Sequence, residues 1–285
     1  MKIGVLTGGG DCPGLNAVIR AVVRKSLQFG HQVYGIKQGW KGLLEKNFDE
    51  LTLDSVSGIL HVGGTILGSS RTNVYKIENG EKTALQNMKE MGLDALVAIG
   101  GEDTLGIAAK LYKAGANVVG VPKTIDNDLN STDYTFGFDT AVNIATEAID
   151  RLHSTAASHE RVLVAEVMGR HAGWIALHSG IAGGADYILI PEVPFDINDI
   201  VKAIKSRHER GKKFSIICVA EGAKVKTDEN TDKDGSFVLQ SLKKDSFGHV
   251  MLGGIGQIIA EEIEKRTGFE TRSVVLGHIH RGGSP

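Results

Sequence analysis

Cysteine is scarce in this sequence, and its charges nearly balance. The two cysteines among 285 residues, Cys12 and Cys218, lie far apart and form no Cys-x-x-Cys pair. This argues against a zinc site and against a disulfide framework, and it fits a reduced compartment such as the cytoplasm. Lysine and arginine number 32 against 34 aspartates and glutamates. Because no net positive field attracts nucleic acid or anionic lipid, any anion site must be local.

Long apolar runs are also missing. No stretch approaches the length that spans a bilayer, and the apolar start of the chain is too short for a signal peptide. We therefore expect a cytoplasmic protein with no membrane partner. The sequence shows no internal repeat of fixed period. Segment 226–235, rich in Asp, Lys, Thr and Asn, is predicted to be an exposed loop.

Glycine, in contrast, is abundant, and the 37 glycines cluster at the ends of short apolar runs. Amphipathic stretches separate these runs, which is typical of β-α-β units and an α/β fold with parallel strands. Trp40 and Trp174 are predicted to pack in the core or against it. The predicted helices are 15–29, 105–114 and 138–158. The predicted strands are 3–7, 33–37, 95–99, 118–121, 162–167, 188–190, 215–220 and 273–276.

A glycine loop, Gly8-Gly9-Gly10, follows the first predicted strand and precedes the first predicted helix. Such a loop presents backbone N–H groups and a helix N-terminus to an anion. It is neither a Walker loop nor a Rossmann fingerprint, since no Gly-Lys-Ser/Thr follows and Pro13 stands where a third glycine is expected. A tight structural turn is the alternative interpretation of this loop.

Two further segments predict a phosphoryl-transfer site. Segment 100–104, Gly-Gly-Glu-Asp-Thr, joins glycines that admit a phosphate with carboxylates that suit magnesium. Segment 122–128, Pro-Lys-Thr-Ile-Asp-Asn-Asp, adds a cation and two carboxylates, one of which suits a general base. Each feature also has a plain structural explanation: Glu102 as a helix-dipole partner, Lys123 as a solvated charge, and Asp-Asn-Asp as a turn.

These motifs, with Met168-Gly169-Arg170 and the final segment 277–285, resemble 6-phosphofructokinase over the whole chain. The resemblance implies an α/β fold of two similar lobes, each with a mainly parallel sheet flanked by helices. The donor-binding lobe is expected at roughly 1–137 and the sugar-phosphate lobe at roughly 138–285. Since the family motif at the end of this sequence leads into further helical sequence, a C-terminal portion is expected to be absent here.

The resemblance also implies roles for individual residues. Asp126 is expected to be the general base, with Lys123 and Asp103 as further catalytic residues, and Glu102 is expected to bind the Mg2+ cofactor. Donor-binding residues are expected at Gly10, Arg71, Gly101, Asp103 and Thr104. Substrate-binding residues are expected at Thr124, Ile125, Asp126, Arg161, Met168, Gly169, Arg170, Glu221, Arg272, His278 and Arg281.

In the family, the counterparts of Arg161 and Arg272 reach into a neighbouring subunit's site. The resemblance therefore implies a homodimer or homotetramer with shared active sites.

Asp103 and Lys123 carry the prediction of the phosphoryl donor. The ATP-using branch of the family typically has glycine at both positions, so this pair resembles the pyrophosphate-dependent branch. A carboxylate at position 103 would take the place and charge of an ATP α-phosphate, and a cation at position 123 would neutralise the departing phosphate. We therefore predict phosphoryl transfer from pyrophosphate to fructose 6-phosphate, giving fructose 1,6-bisphosphate and phosphate reversibly in glycolysis or gluconeogenesis.

Three alternatives remain at this point. An ATP-dependent 6-phosphofructokinase would keep the same fold and acceptor. A lipid or NAD kinase shares the Gly-Gly-Asp type of loop, although the arginines and histidines near the end of the chain argue against it. A catalytically silent regulatory subunit would keep only a sugar-phosphate pocket, and the acidic and basic residues of 102–126 argue against that interpretation.

Overall fold

The computed structural model describes residues 1–226, 236–237, 239–244 and 250–285. Beyond Lys226, the predicted loop 226–235 lies outside the described residues. The described part is built mainly from parallel strands with helices between them, so the predicted α/β class is confirmed. None of the helices in this part is long and apolar enough to span a bilayer.

The first sheet has the strand order β3-β2-β1-β4-β5-β6 and is parallel except for β3. Its strands are β1 Lys2–Thr7, β2 Gln32–Ile36, β3 Phe48–Glu50, β4 Ala95–Gly100, β5 Val118–Thr124 and β6 Phe136–Gly137. The connecting helices are α1 Leu15–Gln28, α2 Trp40–Glu45, α3 Gly80–Glu90 and α4 Glu102–Lys113, with a 3-10 turn at Val74–Lys76. From β1 the chain proceeds to β2 and β3 on one side of the sheet and then crosses to β4 and β5 on the other side. The carboxyl ends of β1 and β4 therefore border a topological switch point.

Helix α5, Phe138–His159, leads from the first sheet to the second. The second sheet is parallel with the order β14-β7-β9-β8. Its strands are β7 Val162–Val167, β8 Tyr187–Leu189, β9 Ser215–Ala220 and β14 Thr271–Val275. Four short strands pair antiparallel before β14: β10 Lys224–Val225, β11 Ser236–Phe237, β12 Leu239–Lys244 and β13 Val250–Leu252. The helices are α6 Trp174–Ala182, α7 Ile197–Glu209 and α8 Ile255–Thr267, and a 3-10 helix follows at Gly277–Arg281.

One hydrophobic cluster joins the two sheets through α5. It contains Val5 and Ile99 from the first sheet, Ala165 and Ile216 from the second, and Ile149 from α5, all buried. Burial of this much apolar surface stabilises the arrangement of the two sheets. The carboxyl ends of their strands are thereby held beside a common crevice. The lobe boundary near residue 137 stays a prediction.

The element boundaries differ from the sequence prediction where the site is formed. Strand β5 continues beyond the predicted 118–121 to Thr124, because Lys123 and Thr124 pair with Phe136 and Gly137 of β6. Helix α4 begins at Glu102 and not at residue 105, so Glu102 and Asp103 lie in its first turn. Both shifts place predicted site residues on regular elements instead of in loops. Trp40 is buried as predicted, whereas Trp174 is 44% exposed and is not a core residue.

Candidate active site

A crevice lies at the carboxyl ends of β1, β4 and β5. It brings together a large part of the set predicted from the sequence. The predicted residues that line it are Gly10, Arg71, Gly101, Glu102, Asp103, Thr104, Lys123, Thr124, Asp126, Asp128, Arg170 and Arg281. Three other lining residues were not predicted from the sequence: Trp40, Ser70 and Thr72. Gly9, which also lines the crevice, belongs to the predicted glycine loop.

The glycine loop lies closer to its neighbours than any side chain would allow. A Cβ at Gly8 would lie 2.6 Å from the Thr104 hydroxyl oxygen, and one at Gly10 would lie 2.7 Å from Nη1 of Arg281. Gly9 has a φ of 78°, a conformation that favours glycine. The loop is therefore bare backbone at the crevice wall, which suits the close approach of a phosphate.

Glu102 and Asp103 contribute negative charge at the first turn of α4. Carboxylates at this end of a helix interact favourably with the helix dipole, so the structural explanation for Glu102 remains valid. Glu102 is exposed and Asp103 is half-buried, and both line the crevice. Two carboxylates thus face the same space as the glycine loop.

Lys123 is a buried cation, 4% exposed. Its Nζ donates a hydrogen bond to the carbonyl oxygen of Gly10, which ties the end of β5 to the glycine loop. Burial lowers the pKa of Lys123, and the positive charge of Arg281 lowers it further, whereas Asp126 acts in the opposite direction. The explanation of Lys123 as a solvated surface charge is therefore wrong.

Asp126 is a buried carboxyl, 5% exposed. Its backbone N–H donates to the Thr124 hydroxyl at 3.1 Å, while its Oδ1 has no hydrogen-bond partner among the described residues. The turn itself is held by Asn127, whose Oδ1 accepts from the backbone N–H of Thr135 at 3.0 Å. Asp126 is thus not needed as the hydrogen-bonding residue of the turn. Since Oδ1 has no donor among the described residues, the Asp126 carboxyl is available to act as a general base.

The electrostatic environment of Asp126 favours its neutral form. Burial raises the pKa of Asp126, and the nearby negative charge of Asp128 raises it further. Arg281, Arg170 and Lys123 act against this shift. A carboxyl whose pKa is raised holds a proton more readily, which suits a group that accepts one from an alcohol.

Two arginines reach the crevice from the second sheet. Arg170 lies in the turn after β7 with a φ of 52°, and its backbone N–H donates to Oε1 of Glu221 at 3.1 Å. Arg281 ends the 3-10 helix after β14, and its Nη1 donates to the carbonyl oxygen of Asp11 at 3.1 Å. Burial raises the pKa of Glu221. The crevice therefore has an acidic and glycine-rich wall from the first sheet and guanidinium groups from the second.

Other predicted substrate residues do not line the crevice. Ile125 is buried beneath it, at 1% exposure, and Glu221 contacts the backbone of the Arg170 turn without lining the crevice itself. Met168 and Gly169, in the turn after β7, and the exposed His278 likewise are not lining residues. Their predicted contacts with substrate stay predictions.

Arg161 and Arg272 lie at the opposite end of the second sheet. Arg161 precedes β7 and Arg272 is the second residue of β14, so both stand where the parallel strands begin and not where they end. Each places an Nη2 atom 2.7 Å from Oε1 of Glu270. Within one protomer they are separated from the crevice by the length of the sheet. That Arg161 and Arg272 bind substrate in the active site of a neighbouring subunit stays a prediction.

The residues at the crevice supply only part of the ligand set of a magnesium ion. No group of three His, Cys, Asp or Glu side chains in the described part of the chain is arranged to hold a metal ion. Glu102 and Asp128 nevertheless line the same crevice as the glycine loop. Mg2+ is typically held by one or two carboxylates, with phosphate oxygens and water completing its shell. The donor set therefore suits a magnesium ion that arrives with a phosphorylated ligand.

The missed lining residues are joined to the glycine loop by hydrogen bonds. The Gly9 N–H donates to the Ser70 carbonyl oxygen at 3.3 Å, and the Ser70 hydroxyl donates to the Gln38 carbonyl oxygen at 2.7 Å. These contacts bring the start of α2, and with it Trp40, to the crevice. Because these hydrogen bonds join residues far apart in the chain, no local sequence pattern revealed them.

Comparisons with known proteins agree with this architecture. The family model described as phosphofructokinase matches residues 2–285. A pyrophosphate–fructose 6-phosphate 1-phosphotransferase of Amycolatopsis methanolica is 59% identical over 286 residues, covering 100% of this chain and 82% of that protein. A protein of Streptomyces coelicolor named ATP-dependent 6-phosphofructokinase 3 is 53% identical, again covering 100% of this chain and 82% of its own length.

A solved phosphofructokinase structure from Saccharomyces cerevisiae has a TM-score of 0.83 and 33% identity to this chain. The match covers 99% of this chain and 38% of that one. The matched family model, the relatives and the shared fold all extend over essentially the whole described chain, including every residue of the crevice. The chain therefore belongs to the phosphofructokinase family.

Proposed function

We propose that this protein transfers a phosphoryl group reversibly from pyrophosphate to the 1-hydroxyl of fructose 6-phosphate, releasing orthophosphate. The observation that carries the proposal is the presence of Asp103 and Lys123 in the same crevice. Lys123 is buried beside the glycine loop, and Asp103 stands in the first turn of α4. The Amycolatopsis methanolica relative, named for the same reaction, supports the proposal.

Asp103 limits the length of the donor. Its carboxylate adds negative charge to the crevice beside Gly101 and Thr104. A third phosphate at this place would meet a like charge, whereas a two-phosphate donor ends before it. The proposal is therefore that Asp103 excludes nucleoside triphosphates.

Proton transfer in this reaction is the task of Asp126. The carboxylate accepts the proton of the sugar hydroxyl as that oxygen attacks the terminal phosphorus, and the bond from phosphorus to the bridging oxygen breaks. Thr124 lines the crevice next to Asp126 and positions the same hydroxyl. The leaving orthophosphate takes the electron pair of the broken bond.

Lys123 acts on the leaving group. Its ammonium is held against the glycine loop by the Gly10 carbonyl and is shielded from water. A cation in a buried site stabilises charge that develops on the bridging oxygen more effectively than one in water. Lys123 and Asp103 thus favour the same donor by attraction at one end and repulsion at the other.

Glu102 and Asp128 are the residues that would hold Mg2+ together with the donor oxygens. When bound, the ion neutralises phosphate charge and makes the phosphorus more open to attack. Glu102→Gln is expected to raise the magnesium concentration needed for half-maximal rate. An unchanged magnesium dependence would remove Glu102 from this role.

Arg170 and Arg281 are proposed to bind the phosphate of the sugar, since a guanidinium pairs with phosphate oxygens in a bidentate manner.

Arg161 and Arg272 are proposed to complete that subsite in a neighbouring protomer. Mixing Asp126→Asn subunits with Arg272→Ala subunits is then expected to restore activity that neither variant shows alone. Absence of any recovery in verified mixed oligomers would contradict shared sites. The cytoplasmic location stays a prediction.

The test of the function is a comparison of donors on purified protein, with fructose 6-phosphate and magnesium. We expect kcat/KM for pyrophosphate to exceed kcat/KM for ATP by a large factor. The presence of ATP-named relatives at 53% identity makes this comparison necessary. An equal or higher value for ATP would assign the ATP-dependent reaction instead, and no turnover with either donor would favour a silent subunit.

A further inference from the structure

Trp40 is a buried side chain whose single polar atom has no partner. The residue is 2% exposed, and its indole Nε1 makes no hydrogen bond with any described residue. An indole N–H can only donate a hydrogen bond, so its partner has to be an acceptor. Buried donors are rarely left unpaired, because an unmade hydrogen bond keeps the full cost of removing the group from water.

The chain fixes Trp40 at the crevice by close backbone packing. Gly39, the residue before it, has a φ of 60°, and a Cβ there would lie 2.7 Å from the Thr7 carbonyl oxygen. This places the start of α2 directly against the end of β1, where the glycine loop begins. Trp40 lines the same crevice as Gly9, Gly10 and Arg71.

We propose that the indole N–H of Trp40 donates a hydrogen bond to an oxygen of the phosphoryl donor and so acts as a donor-binding residue. The inference rests on the proposed function and names one contact of that site. A phosphate oxygen supplies the missing acceptor, and burial of the indole makes the bond to a charged oxygen strong. The sugar is a less suitable partner, because the Arg170 turn, proposed to bind the sugar phosphate, is hydrogen-bonded to Glu221 of the second lobe, whereas Trp40 begins α2 against the end of β1.

The direct test observes the indole N–H itself. The chain has two tryptophans, so protein labelled with 15N-indole tryptophan gives two indole signals, and Trp40→Phe assigns them. Titration with pyrophosphate and magnesium, without fructose 6-phosphate, is expected to move the Trp40 proton signal downfield with saturation. The signal of Trp174 is expected to stay in place. A Trp40 signal that does not move at saturating pyrophosphate overturns the inference.

Kinetics provide a second test. Trp40→Phe keeps the aromatic ring and removes the donor, and it is expected to raise KM for pyrophosphate roughly 10- to 100-fold, the loss of one hydrogen bond to a charged acceptor. KM for fructose 6-phosphate is expected to stay near the wild-type value. Trp174→Phe, which changes a 44% exposed tryptophan, is the matched control and is expected to leave both constants unchanged. Equal rises in both KM values, or none, would contradict a donor contact.

Failure of this inference can be told apart from failure of the proposed function. Wild-type protein that turns over pyrophosphate while Trp40→Phe behaves identically refutes only the role of Trp40. Wild-type protein that uses ATP but not pyrophosphate refutes the proposed donor. In that case ATP replaces pyrophosphate in the titration. A Trp40 signal that does not move at saturating ATP then overturns the proposed hydrogen bond from the indole.

Discussion

The first sheet supplies the crevice with buried groups, whereas the second supplies it with partly exposed arginines. Lys123 and Asp126 are 4% and 5% exposed, and Lys123 is bonded to the glycine loop within the same sheet. Arg170 and Arg281 are half-buried at the ends of turns. A buried charge is held in place by its surroundings. The structure therefore joins a buried chemical half, Lys123 and Asp126, to a more exposed binding half, Arg170 and Arg281.

The largest expected effect is the loss of the base on the first-sheet side. Asp126→Asn keeps the shape of the side chain but cannot accept the proton, so kcat is expected to fall roughly 10²- to 10⁴-fold with little change in KM. Steady-state kinetics with pyrophosphate measures this. Asp133→Asn, an exposed aspartate outside the crevice, is the control. Turnover close to wild type would remove Asp126 from the role of base.

Lys123→Met tests the cation of the same half. The substitution keeps an unbranched, buried side chain and removes the charge, and kcat with pyrophosphate is expected to fall about 10²- to 10³-fold, as for the loss of one preorganised group. The exposed Lys202→Met serves as a control for general effects of charge. A rise in KM with kcat preserved would show that Lys123 binds the ground state and does not act on the leaving group.

Arg281→Ala tests the binding half. The expected result is a rise in KM for fructose 6-phosphate of roughly 10- to 100-fold, with a smaller change in kcat, because a charged hydrogen-bond donor to the sugar phosphate is lost. Binding of fructose 6-phosphate by calorimetry should weaken in parallel. If kcat falls as far as in Asp126→Asn, the contrast between the two halves is wrong.

The smallest expected effect concerns pH. The negative charge of Asp128 helps to raise the pKa of Asp126, so Asp128→Asn stabilises the Asp126 carboxylate and lowers its pKa. Activity that needs this carboxylate ionised is then retained further into acid, and the acid limb of kcat/KM moves to lower pH. Because Asp128 is also a proposed magnesium ligand, the shift is measured by pH profiles of both proteins at saturating Mg2+. A limb that stays fixed or moves to higher pH would assign it to another group.

Much of the fold and part of the site were predictable because they depend on local patterns. Helices α1 and α5 begin at residues 15 and 138, as their amphipathic stripes predict. The glycine loop and Asp126 could be named because strands, glycines and carboxylates follow each other in the chain. The extension of β5 to Thr124 could not be predicted, because it depends on pairing with β6. The first turn of α4 could not be predicted either, because the glycines before it indicate a loop.

Trp40 and Arg161 show the opposite limit. An isolated tryptophan after a glycine indicates a core position, and burial confirms that, but its place in the crevice wall follows from contacts between segments 38–40, 70 and 7–9. Arg161 stands beside a strand in sequence as Arg170 does. Sequence order places Arg161 before β7 and Arg170 after it, but only the structure shows that the end after β7 is the one at the crevice.

The sequence by itself determined the α/β class, most of the parallel strands, helices α1, α4 and α5 to within a few residues, and the short motifs that suit phosphate binding, since these depend on hydrophobic period and on local composition. The tertiary structure alone decided that Lys123 is buried, that Asp126 lacks a partner at one oxygen, and that Trp40 borders the same crevice. Burial and hydrogen-bond pairing depend on segments that are distant in the chain and become neighbours only when the sheets form.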